Sequence, residues 1–247
     1  MEQSILYNFV KECHHNLLDN SCNGSQEAND YIDARNINVQ SVKLHRIGYC
    51  SEISLAKLFN TDEHDYSYFI DQRIILPIYS EFGEIVGIST RKPSSDPGNT
   101  WWNSPFKKSY NLFLLDKNRK NIFENNKIYI VEGYVDSISL YQSGLKNVCS
   151  LMGTKLSLRQ IALISRYCNN VCMSLDVDKN QSGQNAQAKI ILLINEFDFC
   201  DSISIIDGMP VGSDPDVYVN KYGLDQFLSL EKTLTSSQIA KIKTDNA

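Results

Sequence analysis

Five carboxylates in the second half of the chain have the types and spacing of metal ligands: Glu132, Asp176, Asp178, Asp214 and Asp216. Glu132 follows the apolar run 128–131, and Gly133 follows it, allowing a sharp turn and the close approach of a phosphate or backbone. Asp176 and Asp178 follow the run 171–175; Asp214 and Asp216 come shortly after the run 203–206, with Gly212 giving freedom just before them. In extended chain, residues two apart point the same way, so each pair can turn both carboxylates to one ion. Mg²⁺ takes oxygen ligands, uses only one or two carboxylates and keeps water or substrate phosphates in its other positions. Two such ions stabilise attacking and leaving oxygens together in phosphoryl transfer. A single DxD pair reads more simply as loop acids capping helices. Two pairs and a Glu-Gly, all after strand-like runs, favour a divalent-metal site acting on nucleic acid.

The elements that must position these acids follow from the apolar pattern. The first 65 residues read as mainly helical, with runs at 5–18, 26–34 and 39–44. Strands are expected at 73–79 and 85–90 around a turn at 81–84, with Pro77 marking the first as an edge or bulged strand. Residues 94–99, with two prolines and a glycine, read as a loop. From Lys127 the rhythm alternates: strands at 128–131, 148–151, 171–175 and 203–206, helices at 134–145, 157–167 and 184–197. That alternation predicts an α/β fold with a mostly parallel sheet flanked by helices, in which ligands gather at the carboxyl ends of the strands. The expected organisation is a mixed helical and β subdomain over 1–126, a metal-binding subdomain over 127–232 and a polar, fraying tail over 233–247.

Composition narrows the partners. The chain has 247 residues and a formal charge of −5, but residues 91–120 hold seven cations (Arg91, Lys92, Lys107, Lys108, Lys117, Arg119, Lys120) against Asp96 and Asp116. A basic segment beside an acidic metal site suits an enzyme acting on a polyanion. No apolar run approaches the roughly 20 residues needed to span a bilayer, and the N-terminus lacks a secretory signal, so a cytoplasmic protein with no membrane partner is expected. Seven scattered cysteines read as reduced thiols. Cys13, His14, His15 and Cys22 lie close together, yet no CxxC pair completes a four-ligand site; no zinc is expected and they read as helix and loop residues.

The ordered strings VEGYVD (131–136), SLMGT (150–154), DVD (176–178) and GSDPD (212–216) resemble the TOPRIM domain of bacterial and phage DnaG-type DNA primases. Upstream, YIDARNI (31–37), RIGY (46–49), RIILPI (73–78), GISTR (87–91), NSP (103–105) and FKK (106–108) followed by LFLL (112–115) match the same family in order and spacing. The resemblance covers about 5–230, nearly the whole chain. It implies a catalytic core that makes short RNA primers on a single-stranded DNA template from ribonucleoside triphosphates. By the same resemblance, Glu132 and the four aspartates bind Mg²⁺ or Mn²⁺, Glu132 also helping to deprotonate the attacking 3′-hydroxyl. Arg35, Arg91, Lys107 and Lys108 contact nucleotide phosphates or template backbone, Asn103 and Gly133 shape the same groove, and Asp136 matches the last acid of the family's Glu-Gly-x-x-Asp pattern. As a first-turn helix acid, Asp136 also has a purely structural reading.

Departures from the family's pattern qualify this. The chain begins after the place of the family's zinc-binding domain, and neither a helicase-binding domain nor a GxxxxGK[ST] loop follows. Thr100 stands where the family usually has lysine, followed by Trp101 and Trp102, which suit either base stacking or core packing. The segment at Pro105–Phe106 is short and the run 179–183 long for the family. By the resemblance, a replicative helicase or a separate zinc-domain protein is an expected partner, in a cell or in the host cytoplasm of a phage. The alternatives are a catalytically weak single-stranded-DNA-binding accessory module and a TOPRIM nuclease.

Overall fold

The computed structural model describes residues 3–20, 22–51, 70–94 and 101–246. Of the loop expected at 94–99, residues 95–99 lie outside the described residues, as does Thr100. The chain divides into two units, Met1–Phe106 and Lys107–Ala247.

In the first unit, helix α1 (Gln3–Asp19) carries a stripe of Leu6, Phe9, Val10, Cys13 and Leu17 at helical spacing. Helices α2 (Ser25–Ala34) and α3 (Val39–His45) follow. An antiparallel sheet in the order β1-β2-β3-β4 is formed by Gly48–Cys50, Arg73–Tyr79, Ile85–Arg91 and Trp102–Asn103. Leu6, Phe9, Val10 and Cys13 pack with Cys50, Ile70, Ile75, Ile85 and Ile88, so α1 covers one face of the sheet. Pro77 was expected on an edge or bulged strand; β2 lies between β1 and β3, and it is bulged. Its pairing with β1 ends at Ile75, so Pro77 faces only Ile88 of β3, and a bulge follows at Ile78/Tyr79. A missing N–H is harmless where the strand has one neighbour. Trp102 packs against this core.

The second unit is built on a sheet in the order β6-β5-β7-β8-β9 (β5 Ile128–Val131, β6 Val148–Ser150, β7 Asn170–Ser174, β8 Ser202–Ile206, β9 Glu231–Thr233). All neighbours are parallel except the edge strand β9. Both faces are covered. Ile128, Ile130, Val171 and Met173 pack with Ile122 of α4 (Leu115–Asn125), Ile161 and Ile164 of α6 (Leu158–Ile164) and Ile190, Ile191 and Ile194 of α7 (Ser182–Phe197). Tyr129, Val131 and Cys172 face the other way, onto Leu140 of α5 (Tyr134–Gln142), Val219 of α8 (Pro215–Tyr222) and Phe227 of α9 (Leu224–Ser229). Strict alternation along β5 and β7 is what a strand buried on both faces requires.

The compact units divide at Phe106/Lys107, beside the boundary expected at 126/127. Phe113 exchanges backbone hydrogen bonds with Ser150 at 3.0 and 3.1 Å, which stitches the basic segment to the outer side of β6. The expected fraying tail instead forms helix α10 (Ser236–Asp245). Thr235 and Gln238 make a capping box, and Leu234, Ile239 and Ile242 pack against the core, an apolar stripe hidden in a polar average. Among the described residues no helix is long and apolar enough to cross a membrane.

Candidate metal site and its basic neighbours

The parallel register sets the acids side by side. Val131 pairs with Ser174, so Glu132 and the chain leading to Asp176 leave the sheet from neighbouring strand ends. The loop after β8 joins them through Val177, whose N–H donates to the Ser213 carbonyl (3.1 Å) and whose carbonyl accepts from Gly212 N–H (2.6 Å). This bridge brings Asp214 to the Asp176–Asp178 segment. Gly212 has φ +85°, in the left-handed region that glycine adopts without strain.

Asp176 and Glu132 each sense neighbouring carboxylates. Burial, then Glu132, Asp214 and Asp178, push the Asp176 carboxyl up to about 7. Its Oδ1 is buried with no hydrogen-bond partner among the described residues. Glu132 is raised by burial and by Asp178, while Lys108 opposes the rise. Lys108 is lowered by its own burial and held up by Glu132. It lies against Gly153, where an added Cβ would come 3.0 Å from its Nζ; Gly153 N–H in turn donates to the Glu132 carbonyl at 3.1 Å. Crowded, half-buried acids with an unsatisfied oxygen form a donor set that a divalent cation would complete. Among the described residues no three acids are close enough to enclose an ion by themselves. Waters and substrate phosphates fill the other positions of Mg²⁺ in sites of this kind.

The remaining predicted residues are distributed differently. Asp178 Oδ2 accepts from Ser182 Oγ and from Gly183 N–H (3.2 Å), holding the start of α7. Asp214 is the N-cap of α8, accepting from Val217 N–H at 2.7 Å. Asp216, expected among the ligands, is 3% exposed and accepts from Ser139 Oγ (2.6 Å) and Asn220 Nδ2 (2.7 Å). Asp136 is buried too, its Oδ2 accepting from Gly133 N–H (3.0 Å) and its Oδ1 from Asp216 N–H (3.2 Å). Burial, with Asp176 and Asp214 adding to it, pushes the Asp136 carboxyl well above the usual range. The chain bends at Glu132–Gly133, but Gly133 has φ −98°, a conformation open to any residue. A Cβ there would meet Asp136 Oδ2 at 2.5 Å, which is the reason for the glycine, and its N–H is already engaged.

In the first unit, Arg35 caps the C-terminus of α2 and Arg91 ends β3. Their guanidinium carbons lie 5.8 and 5.3 Å from the Tyr31 ring centroid, so two elements bring these cations to one ring. Asn103 stands in β4 opposite Ser89 of β3. Lys107 is exposed at the start of the second unit. Cys13, His14 and His15 lie in α1 and Cys22 precedes α2. Sequence reading missed Ser139 and Asn220, though each sits three or four residues along a helix from an acid of the set, the spacing at which helical neighbours meet.

Comparison with known proteins places this arrangement. The Toprim-like family matches residues 129–219, a span that contains all five acids. The DNA primase of Enterococcus faecalis is 30% identical over 253 residues, covering 91% of this chain and 40% of the relative. The solved catalytic core of the E. coli primase superposes with TM-score 0.80 at 20% identity, covering 98% of this chain and 82% of that one. A DnaG primase catalytic domain bound to single-stranded DNA gives 0.74 at 21% identity, covering 92% and 80%. The chain spans about two fifths of the length of the curated relatives it matches. The chain therefore has a Toprim-like domain at 129–219, is homologous to DNA primases along nearly all its length, and shares its fold with solved DnaG primase cores.

Proposed function

We propose that this chain synthesises short RNA primers on single-stranded DNA by metal-dependent nucleotidyl transfer. The observation that carries the reading is the convergence of Glu132, Asp176, Asp178 and Asp214, with one Asp176 oxygen buried and unpaired, at the strand ends of a Toprim-like unit. These four residues would hold Mg²⁺ or Mn²⁺, which neutralises charge developing on phosphate oxygens. Asp216 and Asp136 are assigned instead to bracing, since their oxygens already hold α5, α8 and the Gly133 amide together. Glu132 accepts the proton of the attacking 3′-hydroxyl as that oxygen bonds to the α-phosphorus and pyrophosphate leaves. Arg35 and Arg91 present planar forks to nucleotide or template phosphates, Lys108 adds a point charge beside Glu132, and Asn103 and Lys107 complete the template contacts. A related catalytic domain solved with single-stranded DNA supports that template class. A replicative helicase or a separate zinc-domain protein is the partner class implied, and the cytoplasm of a cell or phage host the place of work.

The alternative is a module that binds single-stranded DNA with little catalysis. Labelled ribonucleotide incorporation on single-stranded DNA, with Mg²⁺ and with Mn²⁺, separates the two. Template- and metal-dependent short RNA, lost in Glu132→Gln, is the expected result. DNA binding without product under either metal would replace the enzyme by the accessory module, and shortening of the template would indicate a nuclease.

A further inference from the structure

A ring outside the acid cluster gathers cations that the sequence reading did not connect. Tyr110 closes the 3₁₀ turn Lys108–Tyr110 and is 46% exposed. Two cations from separate elements lie over it: Lys107 Nζ is 5.4 Å and the Arg159 guanidinium carbon 5.0 Å from the ring centroid. Both side chains belong to exposed residues. The ring rests on a fixed support, because Ser157 Oγ donates to the Ser109 carbonyl (2.6 Å) and Gln160 Nε2 to the Asn111 carbonyl (2.8 Å). Gln160 itself is 1% exposed. The surrounding sequence is one-signed: no acid occurs over 97–115 or over 137–175, and the second stretch holds Lys146, Lys155, Arg159 and Arg166. In a chain of net charge −5, this is a local reversal.

We propose that Tyr110 and Arg159 form a stacking site for a base of single-stranded nucleic acid, with Arg159 and Lys107 taking the flanking phosphates. The proposal rests on the reading of the chain as an enzyme working on a single-stranded template. A packing role does not account for a ring left half in water at the tip of a pinned turn. Single-strand binders combine such features: aromatic and guanidinium planes accept any base face, and adjacent cations follow the backbone. An acidic protein surface would suit the cations but would leave the ring without a purpose.

The test is fluorescence anisotropy of a dye-labelled thymidine oligonucleotide with the whole chain, across a salt series, alongside thermal melts of each variant. Tyr110→Ala should weaken binding about tenfold at every salt concentration without changing the salt slope, as loss of one stacked base does. Tyr110→Phe should bind as the unaltered chain does. Arg159→Ala should lower the slope by about 0.7, the value for one single-strand phosphate contact. Binding by Tyr110→Ala within about twofold of the unaltered chain overturns the stacking site. Flattened slopes in Arg159→Ala and Lys107→Ala with an inert Tyr110→Ala also overturn it, leaving a cationic face suited to an acidic protein. Either result leaves primer synthesis standing if incorporation persists, whereas an unaltered chain that does not bind the oligonucleotide removes both readings.

Discussion

The second unit carries the same three-residue acidic pattern twice, and the two copies end in different surroundings. Asp176 and Asp178 lie in irregular chain just after β7, and their carboxylates act on each other and on Glu132. Asp214 and Asp216 lie at the start of α8, as its N-cap and its second residue. A helix turns about 100° per residue, so positions two apart diverge by roughly 200° instead of sharing a side. Pro215 at the first helical position sets that backbone before any ligand arrives. Asp214 therefore stays with the acid cluster, while Asp216 turns to Ser139 and Asn220. Spacing becomes direction only through the local backbone.

This contrast can be broken by substitution. Asp176→Asn should cost at least about a hundredfold in templated ribonucleotide incorporation while the metal-free protein melts no lower than the unaltered chain, because it loses a crowded charge. A large drop in melting temperature would make Asp176 structural. Asp216→Ala should act the other way, destabilising the fold by about 2–3 kcal/mol in urea unfolding as buried donors lose a charged acceptor. Asp216→Asn, which keeps an acceptor oxygen, should recover most of that. Gly133→Ala should cost about 1–3 kcal/mol through its clash with Asp136. A double-mutant cycle with Asp136→Ala should show coupling between the two sites, and strict additivity would refute the clash.

The smallest effect is expected at a carboxylate with the opposite electrostatic setting. Glu231 accepts from Lys127 Nζ (2.7 Å) and Tyr129 Oη (2.8 Å). Burial alone would raise it, but bonds from Lys127, Tyr129 and Ser204 outweigh this and leave it lowered from 4.5. A lowered carboxylate stabilises the fold above its unfolded value and loses that contribution as pH falls through the folded one. Unfolding free energies from urea for the unaltered chain and Glu231→Gln should thus differ by under about 1 kcal/mol near neutrality and converge in acid. A gap that widens in acid would reverse the sign.

Much of the site's frame was legible because it is local. The runs around 128–131 and 171–175 are almost continuously apolar, as strands buried on both faces are, and the acids follow them directly in sequence. What escaped was set by distant partners. Phe113 pairs with Ser150, 37 positions away, and nothing near Phe113 announces that bridge. Tail helix α10 was concealed by polar composition, its apolar positions against the core being only Ile239 and Ile242, with Leu234 just before its cap. The bond that Asp216 makes was hidden because its partner Ser139 lies 77 residues upstream. Tyr110 and Arg159, likewise, meet only when α6 docks beside the 3₁₀ turn.

Manganese titration calorimetry on the unaltered chain, Asp176→Asn and Asp216→Asn tests the metal assignment most directly. Binding should weaken by at least about tenfold in Asp176→Asn and stay within about threefold in Asp216→Asn, given the usual 10–100-fold cost of disturbing a metal site. Unchanged affinity in Asp176→Asn, or a larger loss in Asp216→Asn than in Asp176→Asn, would contradict the account.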